Sequence, residues 1–213
     1  MNKNVLITGS SRGLGASLKN LFNRDHWKVY EINSSNSDLS DNLCNNDYLH
    51  KLLDKKFHTV IINAATAGID FDFNNPLSDF ANKVFNINCV NQLKIVEALN
   101  GNITNRLIFI SSHSASFKNT SNLSNGPLPF RKLIYRCSKI SLNLAATYYS
   151  TVLPNLNVYL INPGSMETGF EGVFEKPKTR NCPMFVAQNI YSLIDDSKYT
   201  GRFINWDGTD CEL

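Results

Sequence analysis

Tyr135 and Lys139 stand four residues apart in Tyr135-Arg136-Cys137-Ser138-Lys139, within a stretch of helical periodicity. That spacing puts both side chains on one face of a helix. A lysine ammonium beside a phenol stabilises phenolate, so the tyrosine pKa is expected to fall from its ordinary value of about 10. A tyrosine tuned in this way can give and take a proton near neutral pH. The alternative for such a pair is a surface tyrosine and a solvated lysine.

A second chemical element opens the chain. Thr8-Gly9-Ser10-Ser11-Arg12-Gly13-Leu14-Gly15 follows the apolar run Val5-Leu6-Ile7. It leads into Leu14, Leu18, Leu21 and Phe22, which recur at helical spacing. Glycines let the backbone turn sharply and approach a pyrophosphate, and a helix N-terminus offers free N–H groups and the positive end of a dipole. Gly9, Ser11, Arg12, Gly13, Leu14 and Gly15 are therefore candidate cofactor contacts. A tight strand-to-helix turn without a ligand is the alternative.

The spacing T-G-x-x-x-G-x-G resembles the cofactor motif of the short-chain dehydrogenase/reductase family, and further motifs of that family follow in order. Tyr135 and Lys139 match its Y-x-x-x-K. Ile108-Phe109-Ile110-Ser111-Ser112 ends a predicted strand as the family's catalytic serine does, which implies Ser112, with Ser111 as the fallback. A hydroxyl there stabilises charge on a substrate oxygen. Asn88 matches the helix asparagine that supports the lysine through water, with Asn86 competing for the role. Asn63-Ala64-Ala65 resembles the N-A-G that closes the third strand beside the cofactor, with Ala65 in place of glycine and Gly68 three residues on. Pro163, Gly164 and Thr168 match the P-G-x-x-x-T that binds the nicotinamide carboxamide. Thr200-Gly201 through Asp207-Gly208 resembles the closing strand and its turn.

The resemblance also bears on which dinucleotide is bound. An acid at the end of the second strand normally holds the adenosine ribose and selects NAD, whereas a neutral or basic site tolerates the 2′-phosphate of NADP. By the family spacing this position is Asn33, followed by Ser34 and Ser35. Arg12 is placed to pair with a phosphate. NADP is the expected cofactor, with NAD as the alternative if Glu31 holds the ribose. Asp38-Leu39 resembles the acid–apolar pair that holds the adenine.

The elements that must position these residues alternate. Strands are predicted at Val5–Ile7, Lys28–Ile32, Thr59–Asn63, Leu107–Ile110, Val158–Ile161 and Arg202–Asn205. Helices are predicted after Gly13, at Leu49–Leu53, Phe80–Leu99, Leu133–Tyr148 and Val186–Ile194. The alternation predicts an α/β single-domain Rossmann fold over residues 1–213, a doubly wound, mostly parallel sheet flanked by helices. Two irregular stretches, 113–131 and 163–183, follow predicted strands and are candidate binding loops. The gap between Ser112 and Tyr135 is longer than the family commonly has. The extra residues make His113, Phe117, Lys118, Leu123, Leu128 and Phe130 candidate pocket contacts.

Composition bounds the rest. A net charge of +3, dispersed along the chain, implies neither a nucleic acid nor an acidic lipid surface as partner. Five widely spaced cysteines without a C-x-x-C pair indicate no metal site and no disulfide framework, and free, mostly buried thiols are expected. No apolar run reaches the length of a membrane span, and the N-terminus lacks a signal-like segment, so a cytoplasmic protein is expected. The whole implies a hydride transfer between NADP(H) and a small carbonyl or alcohol substrate. Tyr135, Lys139, Ser112 and Asn88 are the candidate catalytic residues, and the resemblance implies a homodimer or homotetramer. The alternatives are a nucleotide-sugar epimerase or dehydratase on the same fold, and a non-catalytic dinucleotide-binding protein.

Overall fold

Six short strands line up side by side because each carries apolar residues for both faces of one sheet. The computed structural model describes residues 3–34, 47–67, 77–118, 130–168 and 180–212. The strands are β1 (Asn4–Thr8), β2 (Lys28–Ile32), β3 (Phe57–Ile62), β4 (Ile103–Ile110), β5 (Asn157–Asn162) and β6 (Phe203–Asn205). The helices are α1 (Gly13–Arg24), α2 (Asp47–His50), α3 (Leu77–Phe85), α4 (Asn91–Ala98), α5 (Phe130–Val152) and α6 (Pro183–Leu193).

The sheet order is β2-β1-β3-β4-β5-β6, and every ladder between these strands is parallel. Successive side chains point to opposite faces. Leu6, Val60, Leu107, Phe109, Val158 and Leu160 pack on one face with Ile95, Leu99, Leu142 and Ala146 from α4, α5 and the turn after α4. Val5, Ile7, Ile61, Ile108, Ile110 and Ile161 pack on the other with Leu14, Leu18 and Phe22 of α1 and Val186 and Ile190 of α6. Burial on both faces explains why the strands read as continuous apolar runs rather than alternating ones.

The chain leaves β1 toward β2 on one side and returns to β3 on the other. β1 and β3 therefore flank a switch point, where a crevice opens beyond the strand ends. The glycine turn, Asn63 and the exits of β4 and β5 all lie at this carboxyl edge.

The observed strands coincide with the predicted ones, apart from boundaries. The helix predicted across Phe80–Leu99 is different. It is interrupted between α3 and α4 by a π turn, Asn86–Val90. From the start of α4 the Gln92 side chain donates back to the Ile87 carbonyl of this wider turn at 2.9 Å. Such insertions recur at functional sites, and this one carries Asn88. The short helix predicted at Leu49–Leu53 lies earlier, at Asp47–His50. Asp38, Leu39, Gly68, Leu123 and Leu128 lie outside the described residues, as does the side chain of Phe130.

Candidate active site

The glycine turn is shaped by contacts that no side chain could share. Gly9 has φ +68°, and a Cβ on it would lie 2.7 Å from the Ala64 Cα. A Cβ on Gly15 would meet the Gly9 carbonyl oxygen at 2.2 Å and the Asn63 amide nitrogen at 2.7 Å. Gly13 has φ +56°, and its open side faces the Thr168 methyl, at 3.0 Å from a built Cβ. Thr168, delivered by the exit of β5, thus lies against the turn. Ala65, which replaces the family's glycine, is not the residue that meets Gly9; Ala64 is.

Hydrogen bonds lock the turn to the ends of β1 and β3. The Asn63 side chain donates to the carbonyls of Thr8 at 2.9 Å and Gly9 at 3.0 Å. The Thr8 hydroxyl accepts from the backbone N–H groups of Asn63 and Ala64, each at 2.9 Å, and donates to Gln92. Arg12 caps α1 in extended conformation, without a side-chain bond to the first-turn amides. The first turn of α1 therefore keeps backbone donors for an anion, in a cradle that a Cβ would fill.

Asn88 is wholly buried. Its side chain accepts from the Thr66 N–H at 2.7 Å and donates to the Thr66 carbonyl at 2.9 Å and to the Ser138 hydroxyl at 3.0 Å. Ser138 in turn donates to the Tyr135 carbonyl at 2.7 Å. Asn88 therefore joins the exit of β3 to the helical turn that carries Tyr135, whereas Asn86 is only half-buried. Replacing Asn88 by alanine takes the partner from the part-buried N–H and carbonyl of Thr66 and from the buried Ser138 hydroxyl, and each buried group left unsatisfied costs about 1–3 kcal/mol. The expected loss of folding stability is about 3 kcal/mol by urea denaturation. A loss under about 1 kcal/mol would contradict this role.

Tyr135 and Lys139 come from adjacent turns of α5 and are buried together, at 4% and 2% exposure. The Lys139 ammonium donates to the Ile110 carbonyl at 3.0 Å, at the end of β4. Burial pulls its pKa down to about 8, with Cys89 of the π turn acting in the opposite direction. The Tyr135 and Ser112 hydroxyls share a hydrogen bond. Burial pushes the phenol up to about 12, and Ser112 opposes that rise. This corrects the expectation that Lys139 lowers the tyrosine pKa. Burial is the larger effect here, and the ammonium is engaged with the Ile110 carbonyl.

The two serines at the end of β4 diverge. Ser112 is half-buried, bonds Tyr135 and accepts from the Ser114 N–H at 3.1 Å. Ser111 is buried, and its hydroxyl donates to the Asn143 side-chain oxygen on α5. Of the loop candidates, Phe117 is 66% exposed and Lys118 pairs with Glu212 at 2.6 Å. His113 is exposed, but its N–H is held at 2.9 Å by Asn162.

The sequence reading missed several supporting residues. Asn162 accepts from the N–H groups of His113 and Gly164 and donates to Asn205 at 2.9 Å, joining the exits of β4, β5 and β6. Gln92 and Thr8 join the π turn to the glycine turn. One signal for Gln92 was available. The row Val84, Asn88, Gln92, Val96 is spaced by four, and two polar residues interrupt an otherwise apolar stripe.

Just past the end of β2, Asn33 is buried and Ser34 exposed. Glu31 accepts from the Ser10 hydroxyl at 2.5 Å and pairs with Lys19 at 2.7 Å. The Asn33 amide approaches the same Glu31 oxygen at 3.4 Å. Ser11 and Arg12 are exposed at the mouth of the turn, whereas Leu14 is buried beneath it. Pro163 is buried, and Gly164, with φ +68°, lies against the indole of Trp206. The described cysteines Cys89, Cys137, Cys182 and Cys211 are free thiols, of which Cys89 and Cys211 are buried. Among the described residues no helix is long and apolar enough to cross a membrane.

A family model described as "NAD dependent epimerase/dehydratase family" matches residues 5–190. No curated protein sequence matched the chain. Among solved structures, an NADPH-bound carbonyl reductase from chicken fatty liver superposes with TM-score 0.78 at 19% identity, covering 100% of this chain and 99% of that one. A putative short-chain dehydrogenase/reductase from Burkholderia multivorans with bound NADP has TM-score 0.78 at 17% identity, covering 100% of both chains. The 3-alpha-hydroxysteroid dehydrogenase from Pseudomonas sp. B-0831, complexed with NADH, has TM-score 0.77 at 18% identity, covering 97% of this chain and 96% of that one. The chain belongs to the NAD dependent epimerase/dehydratase family, and it shares the short-chain dehydrogenase/reductase fold of these structures.

Proposed function

We propose that this protein is an NADP(H)-dependent oxidoreductase acting on a small carbonyl or alcohol substrate, with Tyr135 as the proton donor and acceptor. The observation that carries the proposal is the grouping of Tyr135, hydrogen-bonded to Ser112, with buried Lys139 at the end of β4, beside a strand-end crevice lined by the glycine turn. When bound, the nicotinamide supplies or takes the hydride. The glycine turn would hold its pyrophosphate through backbone N–H groups. Pro163, Gly164 and Thr168 would border the nicotinamide end.

Ser112 would orient the substrate oxygen and stabilise charge on it. In reduction, the Tyr135 hydroxyl would deliver its proton to that oxygen as the carbonyl carbon gains hydride. A solvent proton would then restore the phenol, and Lys139, anchored at the Ile110 carbonyl, would hold the nicotinamide ribose. Asn88 would position this helical turn through Ser138.

Arg12, Asn33 and Ser34 support NADP. None is acidic, and the Glu31 oxygens are engaged with Lys19, Ser10 and Asn33. Solved structures of the same fold that superpose over nearly their whole chains include carbonyl reductases and a hydroxysteroid dehydrogenase.

The protonation state sets a direction. A phenol raised to about 12 is protonated at neutral pH, so it is ready to donate and must be ionised before it can accept. Alcohol oxidation with NADP is therefore expected to rise by up to about tenfold per pH unit between about pH 7 and pH 10, whereas carbonyl reduction does not rise. Pre-steady-state rates in both directions test this. Oxidation that stays flat across that range would contradict Tyr135 as the base.

A further inference from the structure

We infer that Lys19 sets the dinucleotide preference of this protein by neutralising Glu31, an acid that would otherwise repel a 2′-phosphate. The inference rests on the NADP reading above and assigns the residue that makes it compatible with an acid on β2.

Glu31 lies one residue before the end of β2, in register with Ile7 of β1. Ile7 belongs to the face of the sheet that α1 covers. Side chains alternate across a strand, so Glu31 and Asn33 share one face, at the adenosine side of the crevice. An acid in this region serves a ribose hydroxyl well and a phosphate badly.

In this protein the acid is enclosed by a cluster. The Lys19 ammonium, reaching from α1, lies 2.7 Å from one carboxylate oxygen. The other oxygen accepts from Ser10 of the glycine turn at 2.5 Å, and Asn33 approaches it at 3.4 Å. Asn33 also donates to the Ser10 hydroxyl at 3.3 Å. Burial raises the Glu31 pKa, but the bonds from Lys19 and Ser10 outweigh it and hold the group below its ordinary value. Glu31 is therefore charged at neutral pH, and its field depends on whether Lys19 is present.

Each member of the cluster has a separable effect. Ser10 ties Glu31 to the turn that would cradle the pyrophosphate, so the acid also shapes that turn. Lys19 is partly exposed and does not touch the turn through any of these bonds, so its contribution here is charge. Unpaired, a carboxylate and a phosphate in one small crevice repel each other strongly at short range. Arg12, exposed in the turn, is then left to meet the phosphate without an opposing acid.

The test is equilibrium binding of NADPH and NADH, followed by nicotinamide fluorescence, to the wild type, Lys19→Met, Glu31→Gln and the double variant. Glutamine keeps an oxygen for the Ser10 hydroxyl, and circular dichroism checks that each variant folds. The wild type is expected to bind NADPH more tightly. Lys19→Met is expected to weaken NADPH by about tenfold, with NADH unchanged or tighter. Adding Glu31→Gln to Lys19→Met is expected to restore NADPH affinity.

If the double variant remains as weak as Lys19→Met, Lys19 contacts the phosphate directly and the masking role is overturned, while the NADP reading stands. An unchanged NADPH-to-NADH ratio in Lys19→Met overturns it as well. A wild type that prefers NADH overturns the NADP reading itself, and this inference with it.

Discussion

Replacing Tyr135 by phenylalanine is expected to remove carbonyl reduction, lowering turnover by a factor on the order of 10²–10⁴, while NADPH affinity stays near the wild-type value. Phenylalanine keeps the ring that fills the buried space on α5. It removes the hydroxyl that bonds Ser112 and that would carry the proton. Lys139 keeps its bond to the Ile110 carbonyl, which does not involve Tyr135. The glycine turn is held by Thr8 and Asn63, also independently of Tyr135. The effect should therefore fall on the chemical step rather than on binding. Single-turnover rates together with a binding titration separate the two. Near-normal turnover would remove Tyr135 from the reaction.

The second large effect is expected at Gly15. Alanine there would place its Cβ 2.2 Å from the Gly9 carbonyl oxygen and 2.7 Å from the Asn63 side chain. Neither neighbour can retreat cheaply. Gly9 donates to the Ile32 carbonyl at 2.7 Å and packs on Ala64, and Asn63 holds the carbonyls of Thr8 and Gly9. The turn must open, moving the amides that would meet the pyrophosphate. Gly15→Ala is expected to destabilise the fold by about 1–3 kcal/mol. NADPH binding should weaken by at least about 100-fold, equivalent to ~2.8 kcal/mol. Gly101→Ala is the matched control. It has φ +76°, but nothing lies within 4 Å of a built Cβ. Backbone strain should cost that variant some stability and no affinity. Thermal unfolding and a binding titration of both proteins check the pair, and equal affinities for Gly15→Ala and wild type would contradict the cradle.

Much of the scaffold was legible because buried parallel strands advertise themselves. Val5-Leu6-Ile7 and Lys28–Ile32 sit where their apolar runs place them. The glycine turn was legible because its spacing falls between a strand run and a helical run. The π turn was not, since the apolar period from Phe80 to Leu99 continues on both sides of it. A one-residue insertion turns the following residues by about 100°, but apolar residues recur at helical spacing on either side of it, so the offset does not stand out.

The polar network was hidden for another reason. Thr8, Gln92 and Asn63 meet because β1 and β3 are neighbours and the π turn packs against them, which depends on strand order. The direction of the Tyr135 shift also depends on assembly. Four-residue spacing brings a lysine near a tyrosine, but only the packed helix shows that burial prevails and that the ammonium faces the Ile110 carbonyl. Glu31 was legible as a difficulty for NADP, but its solution by Lys19 required the α1–β2 contact. Asp38 and Leu39 lie outside the described residues.

The central proposal is a hydride-transfer reaction in which Tyr135 handles the proton. Oxidation of NADPH and of NADH, followed by nicotinamide absorbance across a panel of small aldehydes and ketones, tests it most directly in wild type and Tyr135→Phe side by side. The expected result is NADPH-favoured turnover of at least one carbonyl by the wild type, and its loss in a Tyr135→Phe protein that still binds NADPH. Tight NADPH binding by the wild type with no turnover of any carbonyl, or turnover that survives in Tyr135→Phe, would contradict it.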